Sequence, residues 1–267
     1  MSETIPFQQA LQGIEPLLRS MTQGFTQEPK ASIQSLQQLL NTQPSKALST
    51  SMTSALPHDH DDRLQKLAHL REEALACIRC PHLVASRTQV VFGVGNPFAE
   101  LMFVGEAPGE EEDLKGEPFV GRAGQLLTKI INAMEYQREE IFIANVLKCR
   151  PNMPPNTSGN RKPKLEEMTT CLPWLKQQIE LIKPRVLVAL GTTAVEGLLG
   201  KAVLMRDMRG KWFDFQGTPL MVTYHPAYLL RNQSLSEKRK VWEDMLQVLE
   251  KLERPISEKQ RGFFLSK

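Results

Sequence analysis

The sequence predicts a three-layer α/β/α fold whose central sheet has four strands, most of them parallel. Four short apolar runs have the composition of strands that are buried on both faces. Helical patterns alternate with these runs along the chain, and that alternation is typical of a parallel sheet covered by helices on both sides. Sites in such sheets lie beyond the carboxyl ends of the strands.

The predicted elements follow one another in a regular order. A helix from residue 63 to about 76 places Cys77 directly after its end. The predicted strands are 101–105, 141–146, 186–190 and 219–224. The predicted helices between and after them are 123–135, 165–182, 192–199 and 236–252. Because proline lacks a backbone N–H, Pro173 predicts a kink in the second of these helices, or its division into two.

The first 62 residues differ in composition from the rest of the chain. Residues 6–20 fit a short amphipathic helix. Residues 21–62 are rich in Gln, Ser and Thr, and this composition indicates a disordered, flexible extension. His58 and His60 lie among aspartates, which suits a solvated turn better than a metal site. We therefore expect one folded domain at 63–254, followed by a C-terminal tail at 255–267.

Composition and charge limit the classes of protein to which this chain can belong. Hydrophobic residues make up 41% of the 267 residues and charged residues 24%, as in ordinary globular proteins. Neither a membrane-spanning run nor a signal-peptide pattern is found, so we expect a cytoplasmic, monomeric protein without a membrane partner. The formal charge of +3 is too small to indicate a nucleic-acid partner by itself.

The four cysteines form the most informative pattern in the sequence. Cys77 and Cys80 make a C-x2-C pair, whereas Cys149 and Cys171 are isolated. In a reducing compartment this spacing favours a metal centre over two disulfides. A structural zinc site normally has a second close pair of ligands, so distant single ligands suit an iron–sulfur cluster better. The spacing alone leaves zinc and iron–sulfur both open.

A glycine-rich segment at 105–124 follows the first predicted strand. Glycines let backbone amides approach a ligand closely, and the start of a helix directs its N–H groups outward. Neither G-x-G-x-x-G nor G-x-x-x-x-G-K-[ST] is present, which excludes a dinucleotide-binding or P-loop interpretation. An acidic surface loop would explain 110–113, but not the apolar residues at 118–121.

With these motifs the sequence resembles the family 4 uracil-DNA glycosylases, the iron–sulfur branch of that superfamily. The resemblance covers about residues 75–250. Its motifs are the C-x2-C pair, V-F-G-x-G at 91–95, G-E-A-P-G-x-x-E-D at 105–113, P-F-V-G-R-A-G at 118–124, N-V-x-K-C-R-P at 145–151, N-R-x-P at 160–163 and H-P-A-Y-L-L-R at 225–231. The resemblance implies a [4Fe–4S] cluster held by Cys77, Cys80, Cys149 and Cys171.

The resemblance also implies a pocket for a uracil base that has flipped out of the DNA stack. Phe119 is the expected flat wall, and Asn145 is the expected reader of the uracil edge, since an amide offers both a donor and an acceptor. Ala107, Gly109 and Glu112 are the other expected substrate-binding residues.

Cleavage of the glycosidic bond creates a uracil anion and a cationic sugar. His225 matches the donor that stabilises the leaving base. Glu106 stands where a carboxylate would orient water or stabilise the sugar. Ala107 replaces the aspartate that activates water in the best-known branch, which leaves the partner of the water open.

The predicted DNA contacts lie beside these motifs. Leu229 is expected to insert into the stack left by the flipped base. The basic candidates for phosphate contacts are Arg122, Lys148, Arg150, Arg161, Lys162 and Arg231. Residues 152–159 are an insertion relative to the family pattern. The segment 150–170 has no histidine, so the covalent DNA trapping of a related branch is not expected.

We therefore expect an enzyme that hydrolyses uracil from DNA and so initiates base-excision repair, with a structural cluster. The alternative is a non-catalytic iron–sulfur DNA-binding or polymerase-associated protein. The joint presence of Glu106, Phe119, Asn145 and His225 argues against that alternative.

Overall fold

A six-stranded sheet organises the described part of the chain, which in the computed structural model comprises residues 57–154, 157 and 159–265. The strands are β1 (Val94–Gly95), β2 (Leu101–Gly105), β3 (Phe142–Asn145), β4 (Val186–Leu190), β5 (Trp212–Phe215) and β6 (Thr218–Thr223). Their order across the sheet is β1-β3-β2-β4-β6-β5. The neighbours β3, β2, β4 and β6 run parallel, so the four predicted strands form the centre of the sheet.

The two strands that the sequence did not predict are the antiparallel edges. β1 has only two residues, which is too short to show a pattern. β5 forms a hairpin with β6 through Gln216 and Gly217, whose φ angles are 53° and 85°. Positive φ at both turn residues suits the twist of a tight hairpin. The predicted count of four strands is therefore too low by these two edge strands.

Helices cover both faces of the sheet. They are α1 (Pro57–Leu75), α2 (Pro81–Val84), α3 (Glu110–Lys115), α4 (Arg122–Ala133), α5 (Leu165–Ile182), α6 (Thr192–Leu199), α7 (Met205–Met208), α8 (Pro226–Arg231), α9 (Leu235–Lys251) and α10 (Glu258–Arg261), with a 3₁₀ turn at Arg138–Glu140. Pro173 lies inside a continuous α5 and does not divide it. In the described residues, no helix is long and apolar enough to cross a bilayer.

Both predicted ends of the domain need correction. α1 begins at Pro57, so residues 57–62 are helical and do not belong to a flexible extension. The expected helix at 6–20 lies outside the described residues. The expected C-terminal tail contains α10, and the Trp242 ring N–H donates a hydrogen bond to the Gln260 carbonyl at 2.6 Å. The chain after 254 is therefore attached to the domain.

Two hydrophobic cores confirm the three-layer α/β/α arrangement. All five residues of β2 are buried. Met102 and Val104 face one core, which is completed by α1, α5 and α6. Leu101 and Phe103 face the other, which is completed by α4 and α9. Burial on both faces is the reason why the central strands lack polar alternation.

The parallel register brings four strand ends to one edge of the sheet. Gly105 at the end of β2 is paired with Asn145 at the end of β3. Leu190 at the end of β4 is paired with Thr223 at the end of β6. The residues that follow these ends, among them Glu106 and His225, therefore leave the sheet on the same side.

Candidate functional site

A pocket of about 160 Å³ lies at this carboxyl edge of the sheet. Its lining residues are Ala107, Gly109, Glu112, Phe119, Ala123, Asn145, Asn160, His225 and Ala227. All five predicted substrate-binding residues and His225 thus line one cavity, although they come from four separate segments of the chain. Glu106 is not among the lining residues.

Phe119 forms a wall of the pocket and is held there by two glycines. Its side chain is buried, and its backbone has a φ of 55°, a left-handed conformation that costs free energy for a residue other than glycine. A Cβ atom at Gly124 would lie 1.8 Å from the Phe119 carbonyl oxygen, and one at Gly105 would lie 2.5 Å from Cζ of the ring. Any side chain at either position would displace Phe119.

Asn145 lines the pocket and carries an unsatisfied acceptor. The residue is 2% exposed. Among the described residues, no donor bonds its Oδ1 atom, although this atom is buried. A buried polar atom without a partner costs roughly 1–3 kcal/mol. A ligand whose hydrogen-bond donor reached this atom would remove that cost.

His225 is a further polar residue of the pocket lining. Its Nδ1 atom accepts a hydrogen bond from the Ala227 N–H at 3.1 Å. Burial, together with the charge of Arg231, lowers the pKa of His225 to about 4. A neutral ring whose Nδ1 is an acceptor carries its proton on Nε2. The His225 and Phe119 ring centroids are 5.5 Å apart, so the donor lies beside the aromatic wall.

Glu112 organises the loops that surround the pocket. Its carboxylate accepts hydrogen bonds from the backbone N–H groups of Gly109, Val120 and Gly121 at 3.1, 3.0 and 2.9 Å. These bonds join the turn after β2 to the segment that carries Phe119. Three backbone donors occupy this carboxylate, so it is better suited to fixing the loops than to accepting a proton from a reacting group.

Glu106 lies directly after β2, beside the pocket. Burial raises the pKa of Glu106, while a hydrogen bond with Thr193 and the charge of Lys162 act in the opposite direction. Thr193 is a buried residue of α6. The site therefore contains one partly desolvated carboxylate whose protonation can change nearer to neutral pH than that of an ordinary glutamate.

The four cysteines share one core region and form no disulfide. Cys149 and Cys171 are buried, whereas Cys77 and Cys80 are half-buried. Burial raises the pKa of the Cys80 thiol, and the neighbouring Cys149 and Cys77 raise it further. Burial likewise raises the pKa of Cys171 to about 12, with added contributions from Cys149 and Cys77. All four cysteines thus belong to, or pack against, the same hydrophobic core.

Two nitrogen donors point at the cysteine sulfurs. Arg87 donates from Nη1 to the Cys149 Sγ at 3.1 Å and from Nη2 to the Cys77 carbonyl at 2.7 Å. The Lys148 backbone N–H donates to the Cys171 Sγ at 3.2 Å. Arg87 was missed by the sequence analysis, because it stands in no recognisable motif. Among the described residues, no three His, Cys, Asp or Glu side chains are arranged to hold a single metal ion.

Two of the predicted phosphate contacts are engaged by other partners in the folded chain. Lys148 is 1% exposed, and its Nζ atom donates to Gln178 Oε1 in the core. Burial lowers the pKa of Lys148 to about 7, which removes part of the charge that a phosphate contact needs. Arg161 is committed to an ion pair with the buried Glu167 at 2.6 Å. Neither cation is free to bind a DNA backbone.

The other basic candidates keep some access to solvent. Arg122 and Arg231 are exposed, at the start of α4 and the end of α8. Arg150 is half-buried and lies 3.8 Å from the Glu110 carboxylate. Lys162 forms an exposed hydrogen-bonded ion pair with Glu196. Arg122 and Arg231 therefore remain the best placed of the set for phosphate contacts.

The structure does not present Leu229 to DNA. The side chain is 6% exposed and lies with Ile130 and Trp242 at a hollow between helices. Helix α8 packs on α4, and this packing turns Leu229 inward. Leu229 is buried in this arrangement, and its insertion into the base stack stays a prediction. Its neighbours Tyr228 and Leu230 are more exposed.

Comparisons with known proteins agree with this geometry. A family model described as the uracil DNA glycosylase superfamily matches residues 92–246. A Type-4 uracil-DNA glycosylase of Thermotoga maritima is 47% identical over 176 residues, which are 65% of this chain and 88% of the relative. A second one, from Sulfurisphaera tokodaii, is 41% identical over 190 residues, or 68% of this chain and 82% of the relative. A Type-5 uracil-DNA glycosylase of Pyrobaculum aerophilum is 28% identical over 203 residues, which are 64% of this chain and 83% of the relative.

The protonation of His225 can be tested without any substrate. We expect its ring to stay neutral between about pH 5 and 8 and to carry its proton on Nε2, because the pocket wall excludes the charged form. Long-range ¹H–¹⁵N spectra measure both properties, and the His225→Gln variant identifies the signal. A ring that titrates near its ordinary value, or that carries the proton on Nδ1, would contradict this assignment.

The lowered pKa of His225 also makes the stability of the fold depend on pH. The unfolded chain binds a proton at His225 that the folded protein excludes, so the free energy of unfolding should fall as pH decreases from about 6.5 towards 4. His225→Gln should reduce that part of the pH dependence.

Proposed function

This chain belongs to the uracil-DNA glycosylase superfamily, in its Type-4 branch, and we propose that it hydrolyses the N-glycosidic bond of uracil in DNA and so initiates base-excision repair. The observation that carries the proposal is Asn145, which lines a cavity with an aromatic wall and whose buried Oδ1 atom has no partner among the described residues. A flipped uracil supplies the missing donor.

Asn145 distinguishes uracil from cytosine by the direction of its hydrogen bonds. Uracil offers an N3–H donor to Oδ1 and an O4 acceptor to Nδ2. Cytosine reverses both groups, with an unprotonated N3 and an amino group at C4, so it would leave the buried amide unsatisfied. The register of β2 and β3 fixes the amide before any base enters.

His225 stabilises the leaving base. As the glycosidic bond breaks, negative charge grows on the uracil O2 atom. The Nε2–H of a neutral ring is a donor that needs no proton transfer, and its effect increases with that charge. The Ala227 N–H holds the ring in this orientation from the first turn of α8.

Glu106 acts on the sugar side of the reaction. An ionised Glu106 orients the attacking water or stabilises the cationic sugar. Because burial raises the pKa of Glu106, excision loses rate on the acid side at a higher pH than an ordinary glutamate would cause. Ala107 has no group to activate water, which leaves this role to Glu106.

The four cysteines fit a [4Fe–4S] cluster by the chemistry of their donor set. They are four free thiols in one region of the core, and two N–H donors bond to their sulfurs, as is typical around iron–sulfur clusters. When bound, the cluster supplies a structural crosslink. It would tie the C-x2-C segment to Cys149, four residues after Asn145, and to Cys171 of α5.

Asn145→Asp tests the recognition directly. The carboxylate cannot donate to O4 of uracil, so single-turnover excision of uracil should fall by about 100-fold or more.

His225→Ala should slow cleavage while DNA affinity changes little. Asn132→Ala is the matched control, since this exposed amide of α4 does not line the pocket. Excision at the wild-type rate by His225→Ala would move the leaving-group role to another residue.

The presence of a [4Fe–4S] cluster can be tested by the colour and iron content of the purified protein. Purified protein should be brown, with absorbance near ~400 nm and about four irons per chain. Cys149→Ala or Cys171→Ala should lose the iron together with most of the soluble protein, because cluster binding is coupled to folding. A colourless, active protein that contains stoichiometric zinc would contradict the cluster.

A further inference from the structure

A buried carboxylate lies behind the strand that leads to His225. Asp244 belongs to α9, where the sequence pattern gave it no role, and it is 1% exposed. Its Oδ2 atom accepts a hydrogen bond from the Thr223 hydroxyl at 2.6 Å. Thr223 is the last residue of β6 and is also buried. The bond between these two side chains therefore ties α9 to the end of the strand.

Arg209 supplies the cation that faces Asp244. It follows α7 directly, and its Nη1 atom donates to Asp244 Oδ1 at 2.7 Å and to the Lys240 carbonyl at 2.8 Å. The Gly210 N–H donates to the Val222 carbonyl at 2.8 Å, so the same segment is also joined to β6. Asp244 thus connects three parts of the chain, namely α9, the residues after α7 and the end of β6.

The end of β6 determines where His225 stands. Thr223 is two residues before it, and the Thr223 carbonyl accepts a hydrogen bond from the Gly191 N–H at 2.9 Å. A Cβ atom at Gly191 would lie 2.9 Å from the His225 Cβ, so this side of the histidine is closely packed. Between Thr223 and His225, the Tyr224 ring has the Arg209 guanidinium 5.8 Å from its centroid. A shift of Thr223 or Arg209 would therefore move the backbone that carries His225.

Stability alone does not account for the burial of this ion pair. Burial raises the pKa of Asp244 to about 6, although the hydrogen bond from Thr223 and the charge of Arg209 act in the opposite direction. The neighbouring Glu243 adds to the increase. Because the pKa in the folded protein lies above that of an ordinary aspartate, this group makes the free energy of unfolding decrease as pH rises from about 4 to 6. A buried ion pair is weak evidence for stability, and fixing one arrangement of the chain explains it better.

We infer that Asp244 is a positioning residue for the reaction: through Thr223 and Arg209 it fixes the end of β6, and with it the position of the His225 donor. The inference rests on the proposed function. A donor stabilises the leaving base only while it stays within hydrogen-bond distance, and a displacement of about 1 Å can slow a reaction by about 100-fold. The Ala227 N–H fixes the orientation of the His225 ring, whereas the Asp244 contacts fix the backbone before it.

Asp244→Asn tests the inference, because it removes the charge and keeps the shape of the side chain. Its amide cannot accept from both Thr223 and Arg209, so the end of β6 loses one of its two attachments. Single-turnover excision at about pH 8 should fall by about ten-fold, the effect of one lost hydrogen bond. DNA affinity should change little, since His225 acts mainly in the transition state.

Glu100→Gln is the matched control. Glu100 pairs with Arg254 at 3.2 Å and accepts a hydrogen bond from the Tyr136 hydroxyl at 2.5 Å. It stands directly before β2, so this network lies at the amino edge of the sheet, away from the pocket. The substitution removes a carboxylate from a comparable network, and excision should stay at the wild-type rate.

The pH dependence separates positioning by charge from a general loss of structure. At about pH 8 the wild-type Asp244 is ionised, so the wild-type rate should exceed the Asp244→Asn rate by about ten-fold. As pH decreases to about 5, the wild-type carboxyl becomes protonated as well, and the ratio of the two rates should approach one. Protonation of Glu106 slows both proteins alike and cancels in this ratio.

A pair of substitutions at Thr223 tests the same attachment from the strand. Thr223→Val keeps the shape and deletes the hydroxyl donor, whereas Thr223→Ser keeps that donor. Excision should fall in Thr223→Val and be largely restored in Thr223→Ser. Thr223→Val should add little to Asp244→Asn, because both remove one attachment. If Asp244→Asn does not fold, the comparison of the two Thr223 variants decides the inference.

The ring of His225 gives a readout that does not require activity. Long-range ¹H–¹⁵N spectra should show shifted His225 signals in Asp244→Asn and unchanged signals in Glu100→Gln. If the wild-type protein excises no uracil, the proposed function fails, and these spectra alone decide whether Asp244 positions His225. Unchanged His225 signals in Asp244→Asn would then overturn the inference.

With an active wild type, three results would each overturn the inference. They are wild-type excision by Asp244→Asn at about pH 8, a ratio of rates that does not change with pH, and equal excision by Thr223→Val and Thr223→Ser. The expected result is a ten-fold loss that disappears towards about pH 5, restoration by Thr223→Ser and an unaffected Glu100→Gln.

Discussion

The close approach of three segments at Gly105 is the constraint on which the site depends. A Cβ atom there would lie 2.4 Å from Asn145 Oδ1 and 2.5 Å from the Phe119 ring, so only glycine lets the end of β2 meet both residues. Gly124 permits the matching approach of α4 to the Phe119 backbone. The amide and the aromatic wall are therefore packed into place by the fold itself, and the loops joined by Glu112 close around them.

This packing stores an unfavourable interaction that substrate can relieve. A buried acceptor without a partner costs free energy in the free protein, and the Oδ1 atom of Asn145 lies closely packed beside Gly105. A base with a donor in the right place satisfies that atom, whereas a base with the reverse pattern leaves it unsatisfied. In the proposed function, selectivity follows from a cost that is already present in the free protein, and His225 adds a donor whose effect grows as the bond breaks.

The sequence predicted the centre of the fold and the membership of the pocket, but not the partners of its charged residues. The central strands are recognisable because burial on both faces leaves continuous apolar runs, whereas the two-residue β1 has no pattern. Lys148 and Arg161 stand beside binding motifs and resemble phosphate contacts, yet Gln178 and Glu167 engage them in the folded chain. The burial of Leu229 was not predictable for a similar reason, since only the packing of α8 on α4 decides which face of a six-residue helix is buried.

The most direct test of the account compares two methylated bases as inhibitors of the wild-type protein. 1-Methyluracil keeps the N3–H donor and carries its methyl group where the sugar is attached, whereas 3-methyluracil has lost that donor. If the buried Asn145 oxygen governs recognition, 3-methyluracil should inhibit excision at least about 100-fold more weakly than 1-methyluracil. Equal inhibition by the two bases would contradict the central claim, because the unsatisfied oxygen would then play no part in binding.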